Sequence, residues 1–575
     1  MIRRRTDSST HAFWFATGLV ALLVLVFSLY FIFYLTAKQD AFMTNAEDLG
    51  IMDQALWNTV HGLMLHQTIC NIVGDTNCFG PEGVSRFALH FEPVLFPISL
   101  LYLLWPNPKT LQILQVLVVA SGAFPAFWLA RLRLRNEWVS VLFALLYLFY
   151  PAQQNALVFD FHAVTLTAAL LLFTLYFLYA RKTVLLFTFA VLSMACKEEI
   201  PLMIALLGLW VLLFQRRWRV GSALFLLAIA WIGMSLLVMH LFSPTGGPLL
   251  LSRYAYLGSN PIQMARTLVL HPLFILKQHV LEHQHLAYLN LLLAPSGYLP
   301  LLAPWVLILA LPALALNLLS ADPGMYSGLF QYNAELVPIL IFSTIEAIVA
   351  IKWLAQGFTA QLHIPGKKWH LQKTFGRSEH VSLLLFAVLV YALCSVVYAD
   401  LGQGGMPFAR DFRWPRVTAH SELAQHFIDS IPPTASVSAQ TRLVPHLSQR
   451  VAVYLFPYGD NVAQYILLDV TGDIYPYATA QAYNREVGRV LLSGQYGIVA
   501  AQDGYLLLKR SLLVETDFVG ATCTVACPCG VMAGDGTRRT YEISFCLFSR
   551  WQSFNYDRRY WQRYHLVQFL GACVL

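Results

Sequence analysis

Charge is what this sequence has least of. Asp, Glu, Lys and Arg make up only 12% of its 575 residues, where soluble domains carry roughly twice that fraction. The deficit excludes an ordinary water-soluble globule, since hydrophobic residues reach 57% and mean hydropathy is +0.57. Nucleotide fingerprints are missing: there is no Walker-type Gly-rich loop and no GxGxxG between strand and helix. An HExxH motif and a GxSxG elbow are absent too. The net charge of +7 would suit nucleic acid only if basic residues were interleaved with aromatics in a patch. They fall instead in short clusters between apolar runs, as in cytoplasmic loops beside anionic lipid. Membrane lipid is therefore the expected partner and nucleic acid is not.

What is there is apolar length. Uncharged runs cover Phe13–Ala37, Thr110–Ala130, Trp138–Phe159, Ala163–Ala180, Thr183–Cys196, Ile200–Phe214, Val220–Met239, Leu286–Ala321 and Val381–Ala399. The run from Leu286 breaks at Pro295-Ser296-Gly297 and counts as two, and Ala334–Ile351 adds another, with Glu346 towards its end. At roughly 20 apolar residues per span, about eleven transmembrane helices result. The runs at 183–196 and 200–214 are short, and need flanking residues or locally thinned bilayer. Arg3-Arg4-Arg5 precedes the first run as in a signal peptide. That run is too long for a signal segment and lacks a small-residue cleavage site, so it reads as a retained helix. The expected fold is an all-α polytopic membrane domain over 1–399, with an outer loop at 38–109. A C-terminal extracytoplasmic α/β or α+β domain follows at 400–514, and a cysteine-bearing, β-rich extension at 515–575.

Sidedness follows from the basic clusters. With Arg3–Arg5 in the cytoplasm, the thirteen-residue Pro93–Trp105 segment must be interfacial or re-entrant rather than a span. Arg131, Arg133 and Arg135 then stay inside, as do Arg181-Lys182, Arg216-Arg217-Arg219 and the Lys352–Arg377 loop. This places the chain in the plasma membrane with its N-terminus cytoplasmic and its C-terminal domain outside. The outer face collects Glu47, Asp48, Asp53, His90, Glu92, Asp160, His162, Lys197, Glu198, Glu199, Arg253, Lys277, His283, His285, Tyr332 and Glu335. Ionisable groups this close to hydrocarbon are costly unless paired or hydrated, which makes them site candidates. The plainer alternative is that they mark loop ends, but the pattern repeats over four loops.

Individual motifs divide in the same way. Apolar residues at 49, 52, 56 and 60 follow a helical period, so the segment after the first span reads as an amphipathic helix lying on the membrane. Asp48 starts it and is placed to act as general base on an acceptor hydroxyl, with Asp53 the second candidate catalytic carboxylate. Alone, Asp48 fits a residue stabilising a helix dipole better than a catalytic one. The candidate phosphate- and substrate-binding residues are His90, Glu92, Asp160, His162, Lys197, Glu198, Arg253 and Tyr332. An imidazole and an ammonium beside a membrane suit a phosphate headgroup, with carboxylates tuning them. Structural salt bridging is the bland reading of each.

The soluble region begins near Gly402. Ser436–Gln440, Val451–Phe456, Gln464–Val470, Gly497–Ala500 and Tyr505–Lys509 read as strands, and Ala478–Leu492 as a helix. Of nine cysteines, Cys196 and Cys394 lie in spans and read as small core hydrophobes. Cys70 and Cys78 are spaced for a short disulfide in the first loop. Cys523, Cys527, Cys529, Cys546 and Cys573 lack CxxC spacing and a neighbouring histidine, which favours disulfides over a zinc site. Their odd number leaves at least one thiol unpaired or paired to another chain.

Several segments carry a resemblance. EDLGIMDQALWN, HFEPVLFPISLLYLLWPNPKTLQILQ, FDFHAVTL, KEEIPL, QYNAELVPIL and VSAQTRLVPHLSQRVAVYLFP resemble a widespread microbial family of multipass predicted membrane proteins of unknown function. The likeness runs over roughly residues 40–510. That family more often has Phe-Asp-Leu-Gly and Lys-Glu-Asp where this chain has Glu47-Asp48-Leu49-Gly50 and Lys197-Glu198-Glu199. The layout is in turn similar to the GT-C glycosyltransferase superfamily, which uses lipid-linked sugars and places an acidic residue just after the first helix. The resemblance implies a polyprenyl-phosphate-linked sugar as donor, inversion at C1 and Asp48 as base, with Lys197, His162 or Arg253 holding the departing phosphate. It implies no fixed cofactor, since such enzymes occur with and without a divalent cation.

Two other readings compete. A transporter or flippase for a lipid-linked substrate should carry ionisable residues at mid-bilayer and repeat symmetry; here the spans are nearly charge-free and no repeat is visible. A non-catalytic scaffold finds its support in the cysteine-rich tail.

Overall fold

Apolar length becomes helix length in the computed structural model, which describes residues 3–73, 78–244, 249–361 and 378–510. Five helices among the described residues are long and apolar enough to cross a membrane: Thr10–Asp40, Pro108–Leu134, Trp218–Phe242, Gln331–Ala355 and Val381–Gln403. Even the 23 residues of the last reach about 35 Å at 1.5 Å per residue. A sixth span forms if Glu137–Leu148 and Pro151–Phe159, bent by 43°, are taken together. The bend sits where Pro151 disfavours helical geometry at the residue before it. Shorter apolar helices occupy Ala163–Tyr179, Thr183–Met194, Ile200–Gln215 and Pro304–Leu318.

Of the about eleven spans expected, five or six are met among the described residues by helices long and apolar enough on length and composition, with four shorter apolar helices beside them. The Leu286–Ala321 run does not give two spans. Pro295, Pro300 and Pro304 cut it into a helix at His283–Leu293, a series of short turns and the shorter apolar helix Pro304–Leu318. Gly297 and Tyr298 both take left-handed backbone there, so the first half never regains a continuous helix. Burial sorts the long helices. Gln331–Ala355 has 83% of its apolar window buried and forms the centre, against 17% for Val381–Gln403 and 22% for Trp218–Phe242, which face outward. Cys394 is exposed on one of these outward faces, contrary to its expected place in the core; Cys196 is buried as expected.

The helix Pro108–Leu134 separates two polar ends. At its start, after an Asn107 cap, Lys109 pairs with Asp40 at 2.6 Å. At its far end Arg131 lies over the Phe13 ring and Arg133 Nη2 donates to Glu346 at 2.8 Å. About 35 Å of helix lies between them.

The first loop opens on a wide turn, Ala46–Gly50, that runs into the helix Ile51–Val60. This helix does not lie on a membrane surface. Ile51, Met52, Asp53, Gln54, Ala55, Leu56 and Asn58 are all buried, because it is packed on two sides. Leu49, Met52 and Leu56 join Phe91, Phe161, Ala195 and Cys196 in one apolar cluster. Phe42, Ala46, Ile51 and Ile69 share another with the C-terminal sheet. Gly50 permits the approach, since a Cβ there would stand 3.1 Å from Val444 Cγ1. The loop is tied by a Cys70–Cys78 disulfide and by strands β1 (His66–Gln67) and β2 (Val84–Ser85). Pro93–Trp105 folds as a short helix, Leu95–Ser99, and a turn, Leu100–Leu103.

Five strands form the C-terminal sheet: β3 (Val437–Ala439), β4 (Val453–Leu455), β5 (Tyr465–Asp469), β6 (Tyr496–Gln502) and β7 (Tyr505–Arg510). Their order is β4-β3-β5-β7-β6, with β3 parallel to both neighbours and β7 antiparallel to both of its own. Strand alternation sends Ile466, Leu468 and Leu508 to the helix Ala480–Leu492. It sends Leu467 and Leu507 to a helix at Ala419–Asp429 that the sequence reading did not anticipate. Met1–Val514 form one compact unit. The cysteines at 523, 527, 529, 546 and 573 lie outside the described residues.

Candidate functional site

Lys38 stands in the last turn of the first helix. Its ammonium donates to the carbonyls of Val158 and Phe159, at 2.9 and 2.6 Å, and to Asp160 Oδ1 at 2.9 Å. The last carbonyls of a helix lack intrahelical partners, so Lys38 caps the helix Pro151–Phe159 while neutralising the acid that follows it. Asp160 Oδ2 accepts from the Asn45 backbone N–H at 2.9 Å, which fixes the start of the first loop. Burial raises the Asp160 pKa to about 6, with Lys38 pulling it down and Asp48 pushing it up. His162 is anchored through its own N–H to Gln115 Oε1 at 3.0 Å, and its ring stacks on Phe159. Its Nε2 lies 3.1 Å from Asp48 Oδ1. Its Nδ1 is buried with no partner among the described residues.

A second polar group is built on residues that flank the same apolar cluster in sequence. Lys197 pairs with Glu199 at 2.7 Å and its ammonium lies 5.3 Å from the Tyr332 ring centre. Burial lowers its pKa, but Glu199, Glu198 and Glu335 outweigh that and raise it. Glu198 accepts from His90 Nδ1 at 2.7 Å and the Phe91 N–H at 3.1 Å. Burial opposes its ionisation, yet His90 and Lys197 bring its pKa down to about 2. Arg253 approaches the Tyr332 hydroxyl at 3.4 Å and Asp322 at 3.3 Å. Burial lowers the guanidinium pKa, and Tyr332 and Asp322 more than restore it. Glu92 is occupied by Arg86 in a buried pair at 2.8 Å.

Ten candidate residues therefore divide into three places. Asp48, Asp160 and His162 form one group; His90, Glu198, Lys197, Tyr332 and Arg253 form a second, and Glu92 lies near it. Leu49, Phe91, Phe161, Ala195 and Cys196, neighbours of residues from both groups in sequence, share one apolar cluster. Asp53 stands apart. It is fully buried and accepts from the Tyr102 hydroxyl at 2.6 Å, the Ser448 hydroxyl at 2.6 Å and Gln449 Nε2 at 3.3 Å. Burial raises its pKa to about 6, against the three hydrogen bonds. It ties the first loop to the C-terminal domain.

Sequence reasoning missed Lys38, Asn45 and Gln115. Lys38 carried a faint signal as the first charge after the first apolar run. The other two are neutral amides whose partners lie 115 and 47 residues away. Among the described residues no group of three or more His, Cys, Asp or Glu is arranged to hold a metal ion.

Residues 38–507 match the family described as a predicted membrane protein, DUF2079. No curated protein matches. Among solved structures, the chain is similar to ArnT from Cupriavidus metallidurans, crystallised with undecaprenyl phosphate. Identity is 13% and the TM-score 0.45, over 87% of this chain and 99% of that one. A likeness this remote carries no activity across.

Proposed function

The chain belongs to the DUF2079 family of predicted membrane proteins, and we propose that it is a membrane glycosyltransferase of the GT-C kind. It moves a sugar from a polyprenyl-phosphate donor to an acceptor at the outer face of the plasma membrane. The observation that most supports this is the Asp48–His162 pair, at 3.1 Å. Asp48 keeps some solvent access, with 16% of its side chain exposed, whereas Asp53 and Asp160 are sealed. Of the three carboxylates, Asp48 alone combines exposure with an imidazole neighbour.

In this reading the acceptor oxygen attacks C1 of the sugar and its proton passes to the Asp48 carboxylate. The bond from C1 to the phosphate oxygen breaks with inversion, and its electron pair leaves with the polyprenyl phosphate. Lys197 is poorly placed to receive that charge, since Glu199 already holds it and Glu198 and Glu335 surround it. Arg253 is the better anion holder. Its partner Asp322 is 36% exposed and 3.3 Å away, so solvent screens that pair more than it does Lys197 and Glu199, which are 8% and 17% exposed.

The transporter reading finds less support. Asp48, Asp160, His162, Lys197 and Glu198 lie in the connections between helices rather than within the long spans. The class is tested by incubating purified protein in lipid with polyprenyl-phosphate sugars and cell-envelope acceptors. Sugar transfer is expected. Failure to bind any polyprenyl-phosphate sugar overturns the class.

A further inference from the structure

The C-terminal domain reaches back to the residue beside the candidate base. Tyr475 lies in the segment between β5 and the helix Ala480–Leu492, 428 residues from Glu47, yet its hydroxyl donates to the Glu47 carboxylate. Asn71 Nδ2 bridges the two, 3.0 Å from the Tyr475 oxygen and 3.2 Å from Glu47 Oε2. Asp473 Oδ1 accepts the Tyr475 N–H at 3.0 Å, so the residue is held at both ends. Asp48 is near enough for its charge to act on the phenol.

The ring itself is left open. Tyr475 is 43% exposed, although its neighbour Tyr477 packs against the domain core. An aromatic face that is fixed in position but not covered is a preorganised contact surface, since the cost of ordering it has been met before binding. The groups around it select what it takes. Arg442, which reaches the site through Asp473, is paired with that carboxylate at 3.0 Å, while Glu47 and Asp48 bring carboxylates and Asn71 an amide. An acidic ligand would meet like charge there. A pyranose instead offers a C–H face to the ring and hydroxyl donors to the carboxylates, the combination of apolar contact and convergent polar groups that binding sites use.

We propose that Tyr475 is the platform of an acceptor subsite for a neutral polyhydroxylated ligand, a glycan, so that the C-terminal domain selects the acceptor. This rests on the glycosyltransferase reading. The test applies full-length protein in lipid nanodiscs to a printed array of neutral and acidic oligosaccharides, with binding of a polyprenyl-phosphate sugar measured separately. Wild type should retain neutral oligosaccharides. Tyr475→Phe, which keeps the ring, should hold them within about threefold, while Tyr475→Leu should weaken them by roughly tenfold or more. Donor binding should persist in both, which also shows that each variant is folded; Tyr475→Gln replaces the Leu variant if that one fails to fold. Preference for acidic oligosaccharides, no oligosaccharide bound by the wild type, or unchanged affinity without the ring overturns the subsite and leaves the enzyme class standing. Loss of donor binding in the wild type overturns the class, and the subsite with it.

Discussion

A carboxylate that water cannot reach needs a cation held against it, and Asp160 has Lys38 at 2.9 Å with its own side chain fully buried. Removing one partner of such a pair strands the other charge, at a cost of about 3–5 kcal/mol. Lys38→Met should therefore lower the thermal unfolding temperature in nanodiscs sharply, and Lys38→Arg should recover part of the loss. Asp53 gives the second prediction at this scale. Its pKa rises from 3.8 in a free chain to about 6 in the fold, so the folded state keeps a proton that the unfolded state has released. Stability should fall as pH rises through that window, and Asp53→Asn should flatten the trend in unfolding temperature measured between pH 4 and 6.5. At the level of single residues, several members of the two candidate groups were legible as positions. His162, Lys197 and Glu198 stand at the edges of apolar runs, where ionisable groups are costly and so conspicuous, and Asp48 follows the first span within the next loop. Lys38 escaped notice because a lone lysine at a helix exit looks like ordinary snorkelling. Tyr475 gave no signal, because its partner Glu47 is 428 residues away.

At the scale of elements, the helix Ala419–Asp429 is clamped to the sheet by one imidazole. His420 Nε2 lies 3.0 Å from Asp469 Oδ2 on β5, and its Nδ1 lies 3.1 Å from Asp503 Oδ2 in the turn before β7. Burial lowers the His420 pKa, but the two carboxylates outweigh that and raise it. The clamp is fully formed below the free-imidazole pKa of about 6.5 and is lost as pH rises through the higher folded value. Amide protection factors in this helix, corrected for intrinsic exchange, should fall over that rise, and His420→Ala should remove that fall. The helix was readable in hindsight: Thr418 and Ser421 form a capping box, and Leu423, Ala424, Phe427 and Ile428 follow its period. All five sheet strands fell within two residues of their sequence-read positions, since short runs of β-branched and aromatic residues bounded by turn residues mark them. The Leu286–Ala321 run misled because hydropathy counts apolar residues and says nothing of the prolines that stop them forming a helix.

For the whole molecule, charge asymmetry is the feature that organises the rest. Arg131 and Arg133 lie at one end of the helix Pro108–Leu134, and Lys109, Asp40 and the loop bearing Asp48 lie at the other. If the basic end is cytoplasmic, a cysteine introduced beside Arg133 should resist an impermeant thiol reagent applied outside, in a background without the native outer cysteines. Labelling there would reverse the proposed topology and place Asp48 inside. The loop helix Ile51–Val60 was read from sequence as a surface element because its second packing partner, the C-terminal sheet, lies almost 400 residues downstream. That partner turns the first loop into the middle layer of one unit, with a candidate base at its rim. The central claim is that Asp48 takes the acceptor's proton. Its most direct test is sugar transfer from a polyprenyl-phosphate donor by protein in lipid, comparing wild type with Asp48→Asn. The account predicts that the variant still binds donor but transfers sugar at least about 100-fold more slowly; transfer at the wild-type rate would contradict it.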